Sequence, residues 1–113
     1  QIINVYFYYI GGYKMNYQAL CINKKDNVAV ALKTLKAGER VLVKTDNELC
    51  GITVINEVPI YHKFAIKNVK QGEKVYKYGE VIGIAVKELQ IGEYVHIHNV
   101  ESLRSVVNAH NGL

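Results

Sequence analysis

Three stretches of the chain carry the same eleven-position pattern of apolar and polar residues. Ala31-Leu-Lys-Thr-Leu-Lys-Ala-Gly-Glu-Arg-Val41, Ala65-Ile-Lys-Asn-Val-Lys-Gln-Gly-Glu-Lys-Val75 and Ala85-Val-Lys-Glu-Leu-Gln-Ile-Gly-Glu-Tyr-Val95 align without a gap. The pattern reads as strand, turn, strand. An apolar lead-in (Val28 to Leu32, Phe64 to Ile66, Ile82 to Val86) supplies a short strand, although the first copy also admits one helical turn capped by Asp26. Leu35, Val69 and Leu89 then plug each turn into the core. Gly38, Gly72 and Gly92 give the backbone freedom that the reversal needs. The glutamate after each glycine begins an outgoing strand, on which Val41, Val75 and Val95 face inward. The copies start 34 and then 20 residues apart, which excludes a solenoid of fixed period. The shared Lys-x-x-x-x-Gly-Glu reads as a solvated turn in preference to a ligand site.

Further strands are expected at Tyr17 to Ile22, Val41 to Thr45 and Gly51 to Val54, the last two joined by the polar Asp46-Asn47-Glu48 turn. Helix is scarce. Only Val100 to Ala109, with Val100, Leu103, Val106 and Val107 at helical spacing, predicts a short C-terminal helix. The first fourteen residues stand apart, since they hold Tyr6, Phe7, Tyr8, Tyr9 and Tyr13 and read as a strand ending in a Gly11-Gly12 turn. Residues 1–14 are expected to be an extension whose aromatics pair with a neighbouring edge strand, and residues 15–113, from Met15, a single domain. A chain beginning at Met15 is then expected to keep its thermal stability.

At 113 residues the chain suits one domain able to bury a core without metal or disulfide staples. Its two cysteines, Cys21 and Cys50, lie far apart with no Cys-x-x-Cys partner, so free thiols in a reducing cytoplasm are expected. No stretch approaches the ~20 apolar residues of a membrane span, and the leader lacks the basic start of a secretory signal. The formal charge of +4 comes from cations scattered along the chain. That favours an anionic small molecule or acidic surface over nucleic acid, whose binders concentrate cations on one face.

Candidate chemistry centres on the histidines. His96 and His98 alternate with Val95 and Ile97, so on a strand both imidazoles would share one face. Such a pair can ligate Fe, Mn or Zn, or polarise a carboxylate or hydroxyl, although the spacing alone fits two solvent-facing residues better. His62-Lys63 follows Pro59, the sole proline, and sets a cation beside an imidazole, which suits an anionic ligand and equally a surface pair. Lys77-Tyr78-Gly79 is a polar turn whose backbone N–H groups can approach a ligand. Asp26-Asn27 reads most simply as a turn or cap. No nucleophile–base–orienter set and no phosphate loop can be assembled.

Small β folds of repeated strand-turn-strand units with long connections resemble SAF, or β-clip, domains. Asp26-Asn-Val-Ala-Val-Ala-Leu32, Leu35-Lys-Ala-Gly-Glu39, His62-Lys-Phe-Ala-Ile66, Lys77-Tyr-Gly-Glu-Val-Ile-Gly83 and Gly92-Glu-Tyr-Val-His-Ile-His-Asn99, in this order, resemble the small SAF-type domain of the altronate and galactarate dehydratases. The resemblance spans roughly Tyr17 to Val100 and implies a mainly β, SAF-like β-clip. It implies a hydro-lyase that removes water from a sugar acid to give a 2-keto-3-deoxy product, with Fe2+ or Mn2+ in the complete enzyme. Most of such an enzyme lies in a larger catalytic domain or subunit, the expected partner. The related sulfolactate sulfo-lyase also has a small subunit, and a non-catalytic sugar-acid-binding module is a further reading; homo-oligomerisation is left open. Carried over residue by residue, His62, Lys63 and Asn99, with Asp26, Asn27, Lys77 and Tyr78, are substrate or interface residues. His96 and His98 are the metal candidates.

Overall fold

A computed structural model describes residues 6–103 of the chain. Eleven short strands follow one another: β1 (Tyr6–Ile10), β2 (Tyr13–Tyr17), β3 (Ala19–Leu20), β4 (Val28–Ala31), β5 (Arg40–Lys44), β6 (Leu49–Thr53), β7 (Lys63–Ala65), β8 (Lys74–Lys77), β9 (Glu80–Ala85), β10 (Tyr94–Val95) and β11 (Val100–Ser102). They form a six-stranded sheet in the order β10-β7-β4-β3-β5-β6, a three-stranded sheet β11-β9-β8 and the ribbon β1-β2. All pairs are antiparallel except β3 with β5. This is the mainly β, SAF-like β-clip that the repeats predict.

The turns show why the repeats fold alike. Gly38, Gly72 and Gly92 adopt φ of 85°, 86° and 91°, a left-handed conformation that glycine takes without steric penalty. The following glutamate then closes the turn on itself. Its Oε1 accepts from the N–H three residues earlier: Lys36 to Glu39 at 3.0 Å, Lys70 to Glu73 at 2.7 Å, Gln90 to Glu93 at 3.0 Å. The recurrent glutamate is therefore a cap, as a solvated turn requires. Lys33 adds an ion pair to Glu39 at 3.0 Å.

Leu35, Val69 and Leu89 are buried, as are Val41, Val75 and Val95. The copies pack in pairs. Val69 and Leu89 bridge each other within a core that also holds Val28, Ala65, Val75, Ala85, Val95 and Val100. Leu35 instead bridges Val58, within a second core of Ala29, Ala31, Val41, Val43, Ile52, Val54 and Phe64. β7, paired with β4 on one side and β10 on the other, joins the two cores by placing Phe64 in one and Ala65 in the other.

Several expectations change. The first lead-in is strand β4 and not a helical turn, because Val28, Ala29, Val30 and Ala31 are all buried and pair on both edges. The strand expected over 17–22 breaks at Gln18, whose Oε1 accepts from Leu42 N–H at 2.9 Å. Val100–Ser102, expected to open a helix, is β11, and the remainder of that helix from position 104 lies outside the described residues. The aromatic strand does end at Gly11-Gly12, whose φ of 56° and 85° suit a tight hairpin turn. Its partner is β2, in register Ile10↔Tyr13 through Tyr6↔Tyr17, so the expected boundary before Met15 falls inside a strand. Cys21 and Cys50 are free thiols, and no helix among the described residues is long and apolar enough to cross a membrane.

Candidate functional site

The antiparallel pairing of β7 with β10 opposes Phe64 to Tyr94 and Lys63 to Val95. His62, just before β7, thereby meets Tyr94 at the start of β10. Its Nδ1 lies 2.6 Å from the Tyr94 hydroxyl, a short hydrogen bond. His96 stacks on the other contact of Tyr94, with ring centroids 5.7 Å apart and planes 10° from parallel. The His62 and His96 rings are 5.2 Å apart, and His98 lies 5.7 Å from Tyr94. Tyr94 is thus the hub of three imidazoles.

His96 and His98 do not sit on a strand, contrary to the alternation that the sequence suggests. The chain turns over His96–Asn99 between β10 and β11. The cause is Asn99. Fully buried, its Oδ1 accepts from His96 N–H at 2.9 Å while its Nδ2 donates to Tyr94 O at 2.7 Å and Glu93 Oε2 at 3.4 Å. A side chain that satisfies backbone groups in this way favours a turn over a continued ladder. Asn99 is consequently the fastener of the histidine turn, and Ile97 is left 84% exposed.

Lys63, Lys77, His96 and Ser102 line a cleft of about 260 Å³ beside the rings. Burial pushes the Lys63 ammonium below its ordinary pKa, and the nearby Lys77 charge pushes the same way. Burial, then the charges of Lys63, His62 and His98, hold His96 below its ordinary value. Among the described residues no carboxylate pairs with Lys63 or Lys77. Half-buried cations with no counterion form a place for an anion. Two other hollows, about 280 Å³ beside Cys21 and Asp46 and about 490 Å³ beside Lys25 and Glu73, gather no imidazole.

Asp26 and Asn27 are committed elsewhere. The buried Asp26 carboxylate accepts from Tyr78 N–H at 2.9 Å, Gly79 N–H at 2.8 Å and Asn23 N–H at 3.2 Å. The N–H groups of Tyr78 and Gly79 in the Lys77-Tyr78-Gly79 turn are therefore occupied, not aimed at a ligand. Asn27 bonds Tyr76 N–H at 2.8 Å and Lys74 O at 3.0 Å, tying the β4 strand to β8. Tyr78 holds φ 55°, with the Lys77 ammonium 5.0 Å from its ring. Asp26 and Asn27 thus fix the backbone on either side of Lys77.

Tyr94 was not singled out by the sequence, although a signal existed: its position in the other copies carries the cations Arg40 and Lys74. A metal fits less well. Among the described residues no three His, Cys, Asp or Glu side chains converge to hold an ion. His62 and His96 offer imidazole donors, but the remaining ligands would have to come from outside these residues.

Known proteins share this chain's pattern. The family model described as "Altronate/galactarate dehydratase SAF domain" matches residues 17–103. Altronate dehydratase of Escherichia coli (strain K12) is 40% identical over 85 residues, 75% of this chain and 16% of that protein. Altronate dehydratase of Bacillus subtilis (strain 168) is 35% identical over 81 residues, 72% of this chain and again 16% of the relative. The chain thus matches about a sixth of each dehydratase. The (2R)-sulfolactate sulfo-lyase subunit alpha of Paracoccus pantotrophus is 40% identical over 63 residues, 56% of this chain but 94% of that subunit.

Proposed function

The chain belongs to the altronate/galactarate dehydratase SAF-domain family, and from that premise we propose that it is the small subunit or domain of a sugar-acid hydro-lyase. It binds the anionic substrate at the His62–Tyr94–His96 cluster and needs a large catalytic partner chain or domain. The observation that carries this reading is the half-buried Lys63, which shares a cleft with His96 and Lys77 and has no carboxylate partner among the described residues.

The geometry supports a role for each residue. Lys63 and Lys77 attract and hold a carboxylate. The Tyr94 hydroxyl and the His62 imidazole, already joined at 2.6 Å, can pass a proton to a departing hydroxyl. Such a dehydration also needs a base at the carbon beside the carboxylate and, in this family, divalent iron or manganese acting as a Lewis acid. The partner supplies what this chain lacks.

A second reading has its own support: the match covers 94% of a free-standing sulfo-lyase subunit. A small subunit acting on sulfolactate would use the same cations for a different anionic group. A module that binds sugar acids without serving any lyase is the alternative of a different class.

The test combines this chain with its large partner chain and assays 2-keto acid from altronate, galactarate and (2R)-sulfolactate. Turnover only when both chains are present is the expected result, with the preferred substrate choosing between the first two readings. Undiminished turnover in a His96→Ala, His98→Ala double variant would remove those residues from the site. Because a bound anion offsets what depresses Lys63, binding is expected to take up protons, and affinity to fall as pH rises through the lowered Lys63 value. Calorimetry in two buffers of different ionisation enthalpy measures this.

A further inference from the structure

A fourth stretch folds as the three copies do, although its sequence hides it. Val54-Ile-Asn-Glu-Val-Pro-Ile-Tyr-His-Lys-Phe64 runs directly into Ala65. Val58 takes the plug position, fully buried, and bridges Leu35 as Val69 bridges Leu89. Tyr61 stands where the copies have glycine and adopts the same left-handed backbone, φ 67°. Its N–H donates to Ala31 O at 2.7 Å, and reciprocally Gly38 N–H donates to Val54 O at 2.8 Å. Gly72 and Gly92 bond Ala85 and Ala65 in the same reciprocal way, both at 2.8 Å. His62 N–H donates to Pro59 O at 3.0 Å, matching the glutamate N–H in each of the other turns. Even the side-chain bracing recurs: Ile60 N–H to Thr34 Oγ1 at 3.3 Å, Ile91 N–H to Asn68 Oδ1 at 3.1 Å.

What differs is the cap. Lys36, Lys70 and Gln90 present an N–H that the glutamate three residues on accepts. Pro59 has no N–H to present. The residue three positions on is His62, and with no donor to satisfy, its Nδ1 meets the Tyr94 hydroxyl instead. We infer that Pro59 is a positioning residue: by deleting one backbone donor it releases His62 from capping and turns a fourth structural copy into the binding turn. The left-handed Tyr61 agrees with this. A bulky residue with positive φ is an outlier that persists where a site requires it. The inference rests on His62 serving the anion site proposed above.

Two variants of the full chain test it. Pro59→Ala restores the N–H without adding a charge. It is expected to divert His62 Nδ1 from Tyr94, seen as a changed 15N shift and titration of the His62 ring by NMR. With the large partner chain, kcat on the sugar acid should fall on the order of tenfold, with KM changing less. The second variant, Pro59→Lys with Tyr61→Gly and His62→Glu, rebuilds the capped turn. Its unfolding midpoint should equal the wild type's or exceed it by about 2–6 °C, while sugar-acid binding is lost.

His62 resonances unmoved by Pro59→Ala would overturn the inference. So would a rebuilt turn that binds as the wild type does, or one that unfolds well below it. If the wild type with its large partner consumes no sugar acid, the proposed function falls. The NMR comparison still decides whether Pro59 controls the His62–Tyr94 bond.

Discussion

The turn at Gly72 and the turn at Tyr61 share a backbone path and differ in what their ninth residue does. At Glu73 a carboxylate bends back onto its own turn, 2.7 Å from Lys70 N–H. At His62 the side chain crosses to another strand and meets Tyr94. The first arrangement spends a charged side chain on closing a loop. The second leaves a titratable ring available to a ligand, on the same scaffold. A binding residue here needs no long loop, only a structural residue relieved of its structural task.

The comparison can be broken at several points. Gly92→Ala should have the largest effect, because its Cβ would press into the Thr53 carbonyl oxygen, which belongs to backbone and cannot swing aside. A loss of about 3 kcal/mol is expected in chemical denaturation. The equivalent Gly38→Ala and Gly72→Ala meet open space and bear only the left-handed backbone, about 1–2 kcal/mol each. Next comes His62→Gln, which should lower turnover with the partner about 10–100-fold, the worth of a hydrogen bond to a charged group, and leave the unfolding midpoint in place. Glu73→Ala should do the converse, at about 1 kcal/mol of stability and no change in turnover.

The smallest effect is electrostatic. Burial alone would raise the Glu39 carboxyl, but the Lys36 N–H and then the Lys33 ammonium outweigh it and hold the group below its ordinary value of 4.5. A carboxyl depressed on folding adds stability above that ordinary value and loses it as pH falls through the lower folded one. Acid titration of Lys33→Ala should therefore show a smaller loss that is complete at higher pH, a difference within the 0–1 kcal/mol of surface ion pairs.

Much of this was legible because the repeats are local. Gly-Glu after a plug residue prescribes both a left-handed backbone and its cap within four positions, so Leu35, Val69 and Leu89 could be placed without coordinates. The fourth copy was not legible, since Tyr61 and His62 replace the two residues that mark the others and only φ and the bridge to Leu35 reveal it. The histidine turn is hidden in the sequence for a similar reason. Strict alternation from Val95 to His98 fits a strand, and nothing local shows that Asn99 will be buried and bonded to three groups upstream. Asp26 is recognisable in the sequence as a turn-former, but its bonds to Tyr78 and Gly79 span more than fifty positions. Long-range polar contacts leave no periodicity.

The pairing of copies also bears on how the chain acquires its shape. Val69 meets Leu89 and Leu35 meets Val58, so each half-core closes only when segments about twenty residues apart find each other. Among the described residues neither core has a helix long enough to nucleate it alone, and β7 serves both, with Phe64 in one and Ala65 in the other. Such non-local topology places refolding in the millisecond-to-second range of all-β domains. The strand carrying Lys63 would be among the last to dock, since its Phe64 and Ala65 belong to different cores. Competence for binding would then arrive at the end of folding, together with the joining of the halves.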